Sequence, residues 1–321
     1  MSSDHRAYVY STVLMGSPIV LKLFEHDENL ASRVFRLIKR YEDMLTVNRP
    51  HSEVMDINDA AGRHPVPVSQ PVFELIKRAR AVSLPDGSCF NFAIGPLVKR
   101  WKIGFNGRSV PPANELRDLL ALTNPHDVVL NERARSVFLP RTGMEIDLGA
   151  IAKGYIADVI RDFLHGHAIH DALINLGGNV QTLGAPRNGG QGAWAIGLKT
   201  PFSHMDALIG IISVTDKSVV TSGVYERYFK RNGRYYHHIL DPATGYPLDN
   251  ELLSVTIVSD DAIDGDIHTT LMYGMGVEKG LAYLSGMPHI EAIFVTRDRR
   301  VIFSSPRQFT FTLLDQSYRI A

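Results

Sequence analysis

Helix-like and strand-like segments follow one another irregularly along this chain, and no series of βαβ units can be read from it. A doubly wound parallel sheet needs that regular alternation, so the order of elements points to an α+β fold. The helices are the clearer signals. Apolar side chains at Leu30, Val34, Leu37, Ile38, Tyr41, Met44 and Leu45 share one face of a helix over residues 28–45. Residues 52–58 predict a short helix with Ser52 as N-cap and an acidic first turn. Further helices are expected over 71–84, 114–122 and 264–275, and one over 146–164 once a Gly-Ala break has passed. A strand interrupted by Gly-Ser-Pro is expected over 13–24. Other strands are expected within 128–139, 172–183 and 292–303, and at 194–198, 209–214, 218–221, 235–240 and 254–258. Residues 106–113, with one glycine and two prolines, predict an exposed insertion.

Charge narrows the function classes. The 321 residues carry 34 Lys plus Arg against 34 Asp plus Glu, a formal charge of zero. No basic field is available to hold nucleic acid or anionic lipid. The single cysteine, Cys89, excludes an internal disulfide and any site needing two thiolates. No stretch approaches 18 apolar residues, and the N-terminus has no apolar segment, so the expectation is a cytoplasmic protein with no membrane partner.

Four segments bring chemistry-bearing residues together. In residues 147–158 (DLGAIAKGYIAD), Asp147 is expected to end a strand, Gly149 and Ala150 leave backbone uncovered, and a helix follows. Exposed amides at a helix start, with Lys153 adding a cation, suit a phosphate; a plain strand-to-helix turn accounts for the same spacing. In Asn175-Leu176-Gly177-Gly178-Asn179, the paired glycines admit a close neighbour to the backbone or simply make a hairpin turn. Residues 219–247 place Thr221, Ser222 and Gly223 before Tyr225-Glu226-Arg227, then gather His237, His238, Asp241 and Thr244 around an Asp-Pro-Ala-Thr-Gly turn. Finally, Asp266 and Thr270 stand one helical turn apart, a carboxylate and a hydroxyl suited to a hard cation. The alternative there is that Asp264 or Asp266 caps the helix.

Taken in order, these segments resemble the ApbE family, the FAD:protein FMN transferases. Met15-Gly16-Ser17, Ser52-Glu53 with Asn58, and residues 94–98 (IGPLV) extend the match to nearly the whole chain, from about residue 13 to 303. The resemblance implies a T-fold-like duplicated core in a single unit of two lobes, with a flavin cleft between them. It implies Mg2+-dependent transfer of FMN from FAD to a Thr or Ser hydroxyl of a target flavoprotein, with release of AMP. The family's flavin-contacting positions fall on Met15, Asn48, Cys89, Phe90, Asn91, Asp147, Lys153, His238 and Ile239, to which the segment reading adds Gly177, Gly178, Thr221, Ser222 and Gly223. Its metal positions fall on Ala150 (through the carbonyl), Asp266, Thr269 and Thr270.

The implied chemistry suits these residues. A diphosphate repels an oxygen nucleophile, and a divalent ion neutralises charge developing on the leaving phosphate. His238 is the expected base, since a free imidazole titrates near about 6.5; Asp241 either orients it or serves as base itself. Two other readings keep the same residues. Water in place of the hydroxyl gives a Mg2+-dependent FAD pyrophosphatase yielding FMN and AMP, and a site without turnover gives a flavin-binding protein.

Overall fold

The computed structural model describes residues 6–187, 192–203 and 206–321; residues 1–5, the start of the N-terminal stretch read above, lie outside it. In chain order the elements are β1 (Tyr8–Leu14), β2 (Ser17–Leu23), α1 (Glu28–Leu45), α2 (Glu53–Asp59), β3 (Val66–Pro67), α3 (Gln70–Ser83), α4 (Gly95–Trp101), α5 (Ala113–Leu120), β4 (Val129–Asn131), β5 (Ser136–Phe138) and α6 (Ala152–Gly166). There follow β6 (Ala172–Leu176), β7 (Asn179–Leu183), β8 (Trp194–Lys199), β9 (Leu208–Val214), β10 (Ser218–Gly223), β11 (Tyr228–Arg231), β12 (Arg234–His237), β13 (Leu252–Ser259), α7 (Ala262–Leu284), β14 (Ile290–Thr296), β15 (Arg300–Phe303), β16 (Thr310–Leu313) and β17 (Arg319–Ile320). The mixture of helices with largely antiparallel strands is the expected α+β class.

Two interleaved units share these elements. The first comprises Met1–Glu42, Lys153–Gly223 and Glu251–Ala321, and the second Asp43–Ala152 and Val224–Asn250. The first unit holds a nine-stranded sheet in the order β1-β2-β6-β7-β10-β13-β14-β15-β17, antiparallel except where β17 runs parallel to β15. A three-stranded sheet, β16-β9-β8, belongs to the same unit. Leu173, Val180, Val219, Val258 and Ile293 of the large sheet pack with Trp194, Ile209 and Ile212 of the small one in one apolar core. Because strand side chains alternate, the neighbours of Val180 in β7, Asn179 and Gln181, point to the opposite face. Asn179 meets α7 there.

Local chemistry explains the element ends. Asp27 accepts from Leu30 N at 2.7 Å at the start of α1, whose apolar stripe buries Leu30, Val34, Ile38 and Leu45. Ser52 caps α2 as expected, its Oγ accepting from Met55 N at 2.9 Å. The Gly-Ser-Pro break is a two-residue hairpin turn in which Met15 (φ 52) and Gly16 (φ 64) both take positive φ. That backbone matches the strand twist. It joins β2 to β1, an edge strand longer than expected. Gly177 (φ 61) and Gly178 (φ 101) make the same kind of turn between β6 and β7. Helix α7 starts two residues earlier than expected and breaks at Gly276 (φ 76), one residue past the expected end; Glu251 then accepts from Val277 N, and helical turns resume.

The second unit contains α2–α5, the sheet β3-β5-β4 and the hairpin β11-β12. Leu97, Trp101, Ile103, Leu116, Phe229 and Leu240 form its apolar cluster. The indole of Trp101 donates to Gly245 O at 2.7 Å. Asp147 does not end a strand: residues 144–148 run without ladder partners, held instead by the Asn58 side chain, which donates to Ile146 O at 2.9 Å and accepts from Ile146 N at 2.7 Å. Among the described residues no helix is long and apolar enough to cross a membrane.

Candidate functional site

A polar cluster of the first unit lies where the starts of α6 and α7 meet the turns of the large sheet. Glycine permits the approach. A Cβ on Gly154 would stand 2.3 Å from Ala262 O, and one on Gly265 would stand 2.5 Å from Val220 Cγ2. The first turn of α6 therefore rests on the first turn of α7, which rests on β10. Gly154 N donates to Asp266 Oδ2 at 2.5 Å, and Asn179 Nδ2 donates to Asp266 Oδ1 at 2.9 Å. Lys153 Nζ donates to Ser17 Oγ at 3.2 Å, and the same ammonium lies 3.0 Å from where a Cβ of Gly177 would be. The tips of the β1–β2 and β6–β7 hairpins thus flank a lysine one residue from the Asp266 contact.

Hydroxyls complete the cluster. Thr269 Oγ1 donates to Asp266 O at 3.0 Å and accepts from Ser222 Oγ at 3.0 Å. Thr270 Oγ1 lies 3.5 Å from the same carbonyl, and Thr221 pairs with Thr256 at 2.7 Å. Burial pushes the Asp266 carboxyl up to about 7, while the Gly154 amide, the Asn179 amide and the Lys153 charge pull the other way. Asn179 is 3% exposed, and its Oδ1 accepts no hydrogen bond. One carboxylate, threonine hydroxyls and an unsatisfied amide oxygen are an all-oxygen set. Among the described residues no group of three His, Cys, Asp or Glu could hold a metal. The chemistry of such a set suits a hard cation better than a transition metal.

Neither Asp264 nor Asp266 caps α7. The carboxylate of Asp158, on α6, accepts from Ala262 N at 2.7 Å and Ile263 N at 2.9 Å. Arg161 joins it to Asp261 at 2.6 Å. Burial pushes Asp158 up to about 6 despite those two amides. With capping done by another helix, the Asp266 carboxylate is left to face the cluster just described.

The second unit holds most of the remaining expected positions. Asp147 accepts from Gly149 N at 2.7 Å; burial raises its carboxyl, opposed by that amide and by the charge of Arg227. Gly149 and Ala150 are exposed in the turn before α6, as the segment reading expected. His237 is buried, its Nε2 bonded to Leu248 O at 2.8 Å and its Nδ1 accepting from Ile239 N at 3.3 Å. His238 is half-buried, with Nδ1 3.2 Å from Arg227 O. A carbonyl can only accept, so the neutral ring carries its proton on Nδ1 and its lone pair on Nε2. Asp241 organises its own turn: Oδ1 accepts from Ala243 N at 2.9 Å and Oδ2 from Thr244 Oγ1 at 3.1 Å. It does not touch His238.

Several expected flavin contacts do structural work. Asn91 bridges Thr123 O and Ala93 N, and Phe90 and Ile239 are buried. Asn48 is exposed with its backbone N–H donating to Thr46 Oγ1, Cys89 is half-buried, and Gly223 ends β10. Met15 sits in the hairpin turn beside Ser17. Nothing in the spacing of the sequence marks a role for Ser17, Gly154, Asp158 or Asn179. For Asn179 the available signal was an amide directly after two glycines, at the start of a short strand.

A family model described as the ApbE family matches residues 15–294. A protein named FAD:protein FMN transferase from Klebsiella pneumoniae (strain 342) is 61% identical over 318 residues, covering 99% of this chain and 98% of its own length. Another of that name, from Treponema pallidum (strain Nichols), is 38% identical over 84% of this chain and 77% of its own. Among solved structures, the ApbE protein of Thermotoga maritima superposes with a TM-score of 0.80 at 31% identity, covering 91% of this chain and 94% of its own. The apo flavinyl transferase ApbE of Pseudomonas stutzeri gives a TM-score of 0.78 at 26% identity over 97% and 95%. In its sequence, in its fold and in the order of its chemical segments, this chain belongs to the ApbE family.

Proposed function

We propose that this chain transfers the FMN moiety of FAD to a Thr or Ser hydroxyl of a target flavoprotein and releases AMP. Support comes from the relatives named FAD:protein FMN transferase at 61% and 38% identity. The observation that carries it at the level of residues is the Lys153–Ser17 pair set beside the Asp266 cluster, a cation and a group of oxygen atoms suited to a diphosphate. In the reaction the acceptor oxygen bonds to the FMN phosphorus and the bond from that phosphorus to the bridging oxygen breaks. The bridging oxygen leaves with AMP, and the hydroxyl proton passes to a base.

Each residue has a role in this reading. Lys153 holds phosphate oxygens, aimed by Ser17 and the Gly177 turn. Asp266, Thr269 and Thr270, with the Ala150 carbonyl, hold Mg2+, which when bound supplies charge neutralisation at the phosphates. Asn179 and Gly154 fix the Asp266 carboxylate. His238 takes the hydroxyl proton at Nε2, its ring oriented by the Arg227 carbonyl. Asp241 shapes the turn after it. Met15, Asn48, Asp147 and the 89–91 segment contact the flavin nucleotide in the same proposal. The expected cytoplasmic setting belongs to it as well, and cell fractionation tests that part.

Purified protein is incubated with FAD and Mg2+, with and without a Thr-bearing acceptor. Acceptor-dependent AMP with covalently bound flavin supports transfer. Free FMN in both mixtures identifies a pyrophosphatase, and FAD binding without AMP identifies a flavin-binding protein.

A further inference from the structure

The second unit presents a basic groove that no part of the diphosphate chemistry uses. Its volume is about 800 Å3, and its walls come from α4, α5 and residues 102–109. Lys99, Arg100, Lys102 and Arg108 line it against one carboxylate, Glu115, with Leu119 as an apolar wall. Arg100 is paired with Glu115 at 2.5 Å, and Lys99 with Glu145 at 2.7 Å. Lys102 and Arg108 have no carboxylate partner among the described residues. In a chain of zero net charge, this local excess stands out.

The backbone of the loop that carries Lys102 is held by its own hydrogen bonds. Lys102 takes the left-handed conformation (φ 49) that ends α4, and its carbonyl accepts from Phe105 N at 2.8 Å and Gly107 N at 3.0 Å. A Cβ on Gly107 would lie 2.0 Å from Trp101 O, so the loop closes only with glycine there. A loop already ordered at its backbone loses less entropy on binding.

The groove also adjoins the proposed base. Arg227 Cδ lies 2.6 Å from where a Cβ of Gly104 would be, and its guanidinium sits 5.9 Å from the Phe105 ring centroid. The carbonyl of that same Arg227 accepts from His238 N at 3.2 Å and faces His238 Nδ1. Trp101, at the end of α4, bonds the turn that Asp241 shapes. One residue therefore separates the groove's loop from the imidazole.

We propose that this groove docks an acidic segment of the acceptor protein and so delivers its hydroxyl toward His238. The inference rests on the transferase reading, because only a transferase needs a second macromolecule. A polypeptide is favoured over a single phosphate because the cations border about 800 Å3, far more than one phosphate fills, beside the apolar side chain of Leu119. Nucleic acid is disfavoured by the absence of a wider basic field.

The test uses the whole protein and a Lys102→Glu/Arg108→Glu double variant, with folding checked by circular dichroism and thermal melting. Binding of a fluorescent oligoglutamate peptide is read by anisotropy, beside a fluorescent RNA of equal charge. Wild type should bind oligoglutamate in preference to RNA. The double variant should bind it at least about tenfold more weakly, and the difference should shrink as salt rises from about 0.05 to 0.5 M. The charge-keeping Lys102→Arg/Arg108→Lys variant should bind like wild type. Equal binding by the double variant, no binding by wild type, or preference for RNA overturns the proposal. AMP release from FAD and Mg2+ is followed separately with an acceptor present. Its failure with oligoglutamate binding intact removes the transferase reading and leaves the groove.

Discussion

Asn179 donates its side-chain amide to Asp266 Oδ1 at 2.9 Å while its own oxygen, buried beside that carboxylate, accepts nothing. A buried acceptor without a donor costs free energy unless another partner serves it. The pair thus positions a carboxylate and adds an unsatisfied oxygen to the cluster proposed to hold Mg2+. Asp266→Asn should abolish Mg2+-dependent AMP release while the fold persists. Asn179→Ala should raise the Mg2+ concentration for half-maximal rate by about 10- to 100-fold, the range found when a group that orients a metal ligand is removed. Titrating Mg2+ against initial rates reads both effects. An unchanged half-saturation in Asn179→Ala would detach the pair from metal binding.

Lys153 is expected to act on substrate binding. Replacing it with Met removes a charge-assisted contact of about 1.5–3 kcal/mol, so the KM for FAD should rise by about 10- to 100-fold. Gly177→Ala should reproduce part of that loss without touching the charge. Its Cβ would crowd Ser17 Cβ at 2.4 Å and the Lys153 ammonium at 3.0 Å, at a backbone φ of 61 that disfavours alanine. Steady-state kinetics with FAD as the varied substrate tests both, and a wild-type KM in Lys153→Met rules the contact out.

His238 and Asp241 separate by substitution. His238→Asn should lower the transfer rate by about 10²- to 10⁴-fold, the usual contribution of a positioned base. It should also flatten the acid side of the pH–rate curve. Asp241→Asn keeps an oxygen for Ala243 N and should leave the rate within a few-fold of wild type while lowering the melting temperature. If Asp241→Asn instead loses as much rate as His238→Asn, the base assignment moves to Asp241.

Asp158 gives the fold a pH dependence. Its carboxyl is pushed from 3.8 in the unfolded chain up to about 6 by burial, so the native state holds the proton more tightly. Its contribution is greatest below about pH 4 and is lost as pH rises through about 6, a change on the order of 3 kcal/mol. Asp158→Asn lacks this titration but gives up part of the cap on α7, about 0.5–2 kcal/mol. Denaturant unfolding should show the wild type's advantage over Asp158→Asn shrinking between pH 4 and 7. A constant difference across that window would contradict the burial argument.

Gly154→Ala places a methyl 2.3 Å from Ala262 O, where neither helix can yield without parting. A loss of about 1–3 kcal/mol is expected from such overpacking. The Gly154–Asp266 bond should weaken with it, so Mg2+ dependence should shift alongside the melting temperature.

What could be read in advance divides along physical lines. Helix α1 was legible to its ends because its apolar stripe repeats over five turns, and α2 because Ser52 marks its start. Helix α4 escaped notice: seven residues opening with Gly-Pro carry too little periodicity and look like a turn. Strand β1 was mostly missed because an edge strand, exposed at Val9 and Val13, has little buried face to alternate against. In the cluster, residue types were legible at Lys153, Asp266 and Thr270, but partners were not. The cap on α7 comes from Asp158 and the clamp on residues 144–148 from Asn58, each supplied from far along the chain. Spacing cannot show such pairings.

The pairing of Ile19 with Leu176 sets an order on synthesis. The opening hairpin leaves the ribosome long before the strand that completes its edge has been made, and the closing strands at β15 and β17 arrive last. Until β6 is made, the edge of β2 that bears Ile19, Leu21 and Leu23 lacks its native partner strand. A nascent chain stalled or cut before β6 would carry a sticky two-stranded ribbon instead of half an enzyme.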